Sequence, residues 1–293
     1  MQTSTQTLRF FKHAQSERLP LPKRFRALGL MARALDQAPT WTPVEEGEGV
    51  QTTVRTPAKV AGLNLALLLE EATQLVHTQL LPRIQRYRVQ IAAVEQLTEA
   101  QRGWLWQYFQ QQIYPLLTPF VVDSGHPFPH LQSRRLNFLV VLQSSMTALR
   151  TKEHYGLLQI PARLPRLIQV QPCTPASTSA KNAKPIRCLL WREEIIRQFL
   201  PGLFSGSRIQ AVYQFRLLRA QRDNSPATLI AAGPGPVSAK GPITRLDIEK
   251  AMPPHLRQWL IQRLQIHTDQ VLACAPPLGL ADLCELADYL TPL

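Results

Sequence analysis

Thr98-Glu-Ala-Gln-Arg-Gly-Trp-Leu-Trp-Gln-Tyr-Phe-Gln-Gln-Gln-Ile-Tyr-Pro-Leu-Leu-Thr-Pro119, followed after a turn by Leu136-Asn-Phe-Leu-Val-Val-Leu142, is where the chain changes texture. Thr98 and Gln101 form a capping box, and Trp104, Leu105, Tyr108, Phe109 and Ile113 follow at helical spacing. Pro115 and Pro119 stop the helix because proline has no N–H to continue the ladder. Asp123-Ser-Gly-His-Pro-Phe-Pro129 then reads as a turn, and Leu136–Leu142 as an apolar run of strand length. The break predicts a helical domain over residues 1–115 and a second domain over 116–293. The fold class is α+β, with a mixed sheet in the second part.

Upstream, residues 18–38 read as a helix after Pro22, with Phe25, Leu28, Gly29 and Ala32 on one face and Lys23, Arg24, Arg26 and Arg33 elsewhere. Residues 58–81 carry an apolar helical stripe through Leu65, Leu68, Leu69, Ala72, Leu75, Val76 and Leu80. Downstream, strands are expected at Leu157–Ile160, Arg187–Trp191, Ile209–Leu217, Arg245–Glu249 and Val271–Cys274. Helices are expected at Glu193–Leu200, after Pro253-Pro254, and at Ala281–Tyr289. Ile209, Ala211, Tyr213, Phe215 and Leu217 alternate with Gln210, Gln214 and Arg216, the pattern of a half-buried strand. Residues 39–57, 171–185 and 223–242 are rich in turn formers and read as loops.

Charge is the distinctive compositional feature. The 293 residues hold 33 Lys+Arg against 20 Asp+Glu, a net of +13. Residues 1–40 carry +5 and residues 130–200 carry +8. Such a field favours polyanions. Lys23, Arg24, Arg26, Arg134 and Arg135 are the candidate contacts, and the Arg134-Arg135 pair serves either as a phosphate grip or as a charged start to the next strand. No finger, helix-turn-helix or base-reading motif accompanies them. A basic nucleic-acid-binding module is therefore the alternative reading, with phosphate contacts alone.

Other signals are weaker. Cys173, Cys188, Cys274 and Cys284 lack metal-ligand spacing, so no metal site is expected. With no secretory signal and no apolar run near ~20 residues, a cytoplasmic location with reduced thiols is expected. His126 and His130 flank Pro127-Phe-Pro129, which forbids a helical ligand pair. Glu70-Glu71 and Glu193-Glu194 diverge by ~100° on a helix and read as solvated side chains. Gly233-Pro-Gly235 lacks the N–H groups of a phosphate loop, and Leu203-Phe-Ser205-Gly-Ser207 lacks a nucleophile-elbow frame.

Leu97-Thr-Glu-Ala-Gln101, Tyr108-Phe109, Ile113-Tyr-Pro-Leu-Leu-Thr-Pro119, Val122-Asp123 and His126-Pro-Phe-Pro129 occur in this order and spacing. Further along come Arg134-Arg-Leu-Asn-Phe-Leu-Val-Val-Leu142, Ile160-Pro161, Leu164-Pro-Arg166, Phe204, Phe215-Arg-Leu217, Met252-Pro253 and Gly279-Leu-Ala-Asp-Leu283. Together they resemble the polyphosphate kinase family at its N-terminal and middle domains. The resemblance implies a family reaction in which the terminal phosphate of ATP extends a polyphosphate chain. It places that chemistry, with magnesium, ATP and a phosphorylated histidine, in phospholipase-D-like domains beyond the region matched. The expectation is a non-catalytic part with no cofactor of its own: it would assemble with a full-length or split kinase chain, as an oligomer, or hold polyphosphate. A split half or gene remnant is a further alternative. In the family's Ser-Asn-Asn-Leu-Asp-Glu-Phe segment an asparagine approaches adenine. Ala34, within Ala32–Ala38, stands at that asparagine and cannot make its hydrogen bond, so no nucleotide site is assigned. The family's acidic helix after the Phe-Arg-Leu strand is replaced by the Gly/Pro-rich stretch 224–242.

Overall fold

The strand read from Leu136–Leu142 lies inside a six-stranded mixed sheet. A computed structural model describes residues 2–37, 59–60, 63–122, 128–144, 153–171, 186–220 and 241–290. The expected loops 39–57, 171–185 and 223–242 lie outside these residues, apart from Gln171, Gly241 and Pro242. His126 and Cys173 lie outside them too.

Two helices open the chain, α1 (Gln2–Gln15) and α2 (Leu21–Gln37), and a short antiparallel pair, β1 (Lys59–Val60) and β2 (Leu63–Asn64), follows. The first helix was not expected from the Thr/Gln-rich sequence. It forms because Phe11 and Ala14 bury a narrow stripe against α2. Asn64 caps α3 (Leu65–Leu75), accepting from the Leu67 amide, and the helix runs on through a π-helical turn, Val76–Leu80. Then come β3 (Val89–Ile91) and α4 (Glu99–Tyr108). The capping box read from Thr98 and Gln101 is present, with both reciprocal bonds made.

The sheet strands are β4 (Pro119–Val122), β5 (Leu136–Ser144), β6 (Glu153–Gln159), β7 (Leu167–Val170) and β8 (Arg187–Trp191). After α5 (Arg192–Leu203) come β9 (Ser207–Arg219), β10 (Ile243–Glu249), α6 (Pro254–Leu264) and β11 (Val271–Cys274). A 3-10 segment, Leu280–Glu285, and a final helical turn, α7 (Leu286–Tyr289), close the described chain. The large sheet has the order β11-β10-β9-β5-β6-β4, parallel only between β10 and β11; β3, β8 and β7 form a second sheet. This is the α+β architecture with a mixed sheet that the sequence predicts.

The continuous apolar run in β5 has a direct cause. Phe138, Val140 and Leu142 face α4 and α5, packing with Leu105, Phe109, Ile113, Ile195 and Ile196. Leu139 and Val141 face the other way, onto Phe215, Leu217, Leu246, Ile248 and the α6 residues Leu256 and Leu260. A strand covered on both faces needs no polar alternation. The same covering limits the half-buried reading of β9 to its first half, where Gln210 is exposed, since Gln214 and Arg216 further along its polar face are buried as well. The first of these clusters crosses residue 115, because α4 comes from before it and the strands from after it.

A third cluster joins α1, α2 and α3 to Leu167 and Leu189 of the small sheet and to Leu280, Leu283, Leu286 and Leu290. Gly29 is required where α2 meets the 3-10 segment: a Cβ there would lie 2.9 Å from the Cys284 Cβ. Replacing Phe138 by Ala is expected to lower unfolding free energy by about 3–5 kcal/mol in urea titrations. Val121→Ala, on the half-exposed edge strand β4, is expected to change it by about 0.5 kcal/mol or less.

Candidate functional site

Helix α2 sorts its residues by angle. Lys23, Arg26, Leu30, Arg33 and Gln37 recur every three or four positions and are all exposed, forming one face about 21 Å long. Arg24, Leu28, Met31 and Leu35 form the opposite stripe and are buried. This corrects one of the candidate contacts. Arg24 is 1% exposed, one turn from Leu28, and its guanidinium donates to the carbonyls of Ala14 and Gln15 and to Gln79 Oε1 at 2.7, 3.3 and 3.1 Å. It ties α1, α2 and α3 together and has no face for a ligand; burial pushes its pKa down.

The remaining candidates divide. Lys23 and Arg26 lie on the exposed face, where Arg26 forms an open ion pair with Asp288 at 3.2 Å. Exposed pairs of this kind contribute about 0–1 kcal/mol and yield readily to another anion. Arg134 sits in the turn before β5 with a left-handed φ of 64°, its amide donating to Leu217 O at 2.7 Å. Its exposed guanidinium reaches the Asp36 carbonyl, 3.3 Å away, at the C-terminal end of α2, where a cation suits the helix dipole. Arg135 is half-buried and lies off this face, and its Nε has no hydrogen-bond partner. Arg33 was not among the sequence candidates, although its spacing from Lys23 and Arg26 would have found it. It lies between Arg26 and Arg134, donating to Cys284 Sγ at 3.0 Å. The result is a row, Lys23–Arg26–Arg33–Arg134, along α2 and past its end. Ala34 is half-buried on α2.

Four buried charges fix α2 to the sheet. Arg216 on β9 donates to both Asp36 oxygens at 2.7 and 2.9 Å and to Asp247 Oδ2 at 2.8 Å. Arg245 on β10 donates to Asp36 Oδ1 at 2.8 Å and to both Asp247 oxygens at 2.8 and 3.1 Å. Two carboxylates balance two guanidiniums, so the group is neutral although its side chains are at most 6% exposed. Burial by itself would raise the Asp36 carboxyl, but Arg216 and Arg245 outweigh it and hold it below the ordinary carboxylate range. Burial opposes the Arg216 charge, and Asp36 with Asp247 raises its pKa nonetheless. The adjoining cavity, lined by Asp36, Thr73, Arg216, Asp247 and Cys274, is only about 20 Å³, room for a water and not for a nucleotide. Burial pushes the Cys274 thiol there up to about 12.

A second buried pair corrects the solvated reading of Glu193. Arg166 donates to Glu193 Oε1 at 2.7 and 2.9 Å and to the Leu278 and Gly279 carbonyls. Glu70, by contrast, is exposed beside Lys250. Among the described residues no group of three or more His, Cys, Asp or Glu side chains could hold a metal ion, and no helix is long and apolar enough to cross a membrane.

Residues 100–224 match the family model of the polyphosphate kinase middle domain. Polyphosphate kinase 1 of Chlorobaculum tepidum is 30% identical over 227 residues, 74% of this chain and 31% of that protein. The polyphosphate kinase of Aphanizomenon baltica is 31% identical over 69% of this chain and 53% of its own length. That of Halalkalibacterium halodurans is 27% identical over 96% of this chain and 41% of its own. The crystal structure of the polyphosphate kinase from Porphyromonas gingivalis superposes with a TM-score of 0.70, at 18% identity, over 98% of this chain and 41% of that one, which shows a shared fold. The chain thus spans about a third to a half of the length of these relatives.

Asp36→Asn leaves two buried guanidiniums sharing one carboxylate, and is expected to cost about 3–5 kcal/mol at pH 7. Because the folded carboxyl titrates below its unfolded value, its contribution is complete above the unfolded pKa of ~3.9 and is lost as pH falls through the folded value. Urea midpoints measured from pH 7 down to pH 2 should show the gap between wild type and Asp36→Asn closing below about pH 4.

Proposed function

Since this chain belongs to the polyphosphate kinase family, we propose that residues 1–293 hold polyphosphate and assemble with other kinase chains, without themselves transferring phosphate. The observation that supports this most is the Lys23–Arg26–Arg33–Arg134 row. Its groups are exposed, follow one line, and carry charge without an accompanying metal cluster among the described residues. Such a row suits a ligand that repeats one phosphate after another and offers no base edge to read. Phosphoryl transfer needs cation clamps, a metal and an activated nucleophile converging on one point, which is a different geometry.

Segment 1–115 carries most of the row, and segment 116–293 carries Arg134 and the charges that hold α2 in place. A cytoplasmic setting, where polyphosphate and nucleotides meet the chain, belongs to the same proposal.

Labelled polyphosphate is expected to bind wild type with an affinity that falls steeply with salt. Removing Lys23, Arg26, Arg33 or Arg134 as Gln variants should each weaken it and lower the salt slope by about one per lost contact. Arg135→Gln should leave it unchanged. Tighter binding of one DNA sequence than of polyphosphate of equal charge would instead favour a nucleic-acid module. The purified chain with ATP and magnesium is expected to make no polyphosphate; heat-labile synthesis by a clean preparation would overturn the non-catalytic reading.

A further inference from the structure

On the α1 side of the same helix lies a groove of about 450 Å³, within the usual range for a small-molecule site. Phe10, Leu19 and Leu30 give it an apolar floor, and His13, Lys23 and Arg26 a basic rim. No carboxylate lines it. Leu30 is 44% exposed, so the apolar floor of the groove is open to solvent. Among the described residues the Lys23 and His13 side chains have no hydrogen-bond or ion-pair partner, and the Arg26 side chain has only its open pair with Asp288.

We propose that this groove is a binding site for a small amphiphilic anion, a hydrocarbon body carrying one carboxylate, sulfonate or phosphate head. The body covers Phe10, Leu19 and Leu30 and removes their apolar surface from water, the main source of affinity. The head meets Lys23 and Arg26. A bare phosphate polymer would leave the floor wet. A flat bilayer surface would not fill a concavity between two helices, whereas a single molecule does. Charge selects against the cationic counterpart of the same tail. The inference goes beyond polyphosphate holding and shares with it only Lys23 and Arg26.

The probe is 8-anilinonaphthalene-1-sulfonate, an aromatic body with one sulfonate, titrated by fluorescence at pH 7.5 against the folded full chain. One saturable site is expected, displaced by decanoate below its micelle-forming concentration and not by decyltrimethylammonium. Lys23→Gln/Arg26→Gln should weaken the probe at least tenfold. Leu30→Asn should do the same while leaving polyphosphate binding intact, which separates this site from the phosphate row. Trp106→Gln changes a different groove, about 370 Å³ between α4 and α5, and Leu67→Asn a different exposed leucine. Both should bind the probe as wild type does. Circular dichroism and urea midpoints confirm that each variant is folded. Equal displacement by the cationic and anionic tails, loss of the probe in Trp106→Gln, or unchanged affinity in both groove variants would each overturn the proposal.

Discussion

Asp36 is shared between two arginines from adjacent strands, and the placement of α2 depends on that sharing. A guanidinium left at this depth without a carboxylate, or a carboxylate without a guanidinium, would be strongly destabilising; the isolated burial of one such ion costs several kcal/mol. Together they form a neutral group with nearly every donor directed at an oxygen. Arg245 Nη1 is the exception. The arrangement is directional, since each planar guanidinium donates only within its own plane. It therefore sets the angle at which α2 crosses the sheet as well as holding it there. Apolar packing along Phe25, Leu28, Met31 and Leu35 would permit several rotations of the helix; the charge group selects one.

That rotation decides what the surface offers. With Asp36 turned inward, Lys23, Arg26 and Arg33 are turned outward, and the C-terminal carbonyl of α2 is left where Arg134 can meet it. A buried neutral cluster thus arranges an exposed cationic one. Asp288, the acidic group paired with Arg26 of the row, sits on the last described helical turn and is exposed. It moderates the field without occupying it.

The sequence displayed some of this plainly and some not at all. The capping box at Thr98, the strand at Leu136–Leu142 and the α+β class were legible because each depends on local chemistry or on periodicity. Arg24 was misread because a cation in a basic stretch looks exposed until its angle to Leu28 and Leu35 is considered. Arg216 looked like the polar side of a strand. Nothing local distinguishes a solvated arginine from one that meets a carboxylate 180 residues away. Glu193 was missed for the same reason, its partner being Arg166 across a strand pair. Helix α1 has too few apolar residues for its own pattern to show, and its burial comes from α2. Pairing between distant buried charges carries no short-range signal in a single sequence.

The close approach of α2 to the segment 280–285, marked by Gly29 against Cys284, has a consequence in time. The helix is made among the first forty residues, yet its last partners are Arg245, Asp247 and the closing turns near Leu286. At synthesis rates of about 5–20 residues per second, roughly 10–40 s separate the making of Asp36 from the making of the guanidiniums that neutralise it. During that interval α2 has only α1 and α3 to cover it, and its acidic end has no guanidinium from the sheet. The native position of this helix pair is thus reached late on the ribosome, by closure of residues 245–290 onto it. Such closure over a long loop is entropically slow. Synthesis from the N-terminus therefore does not give folding from the N-terminus here.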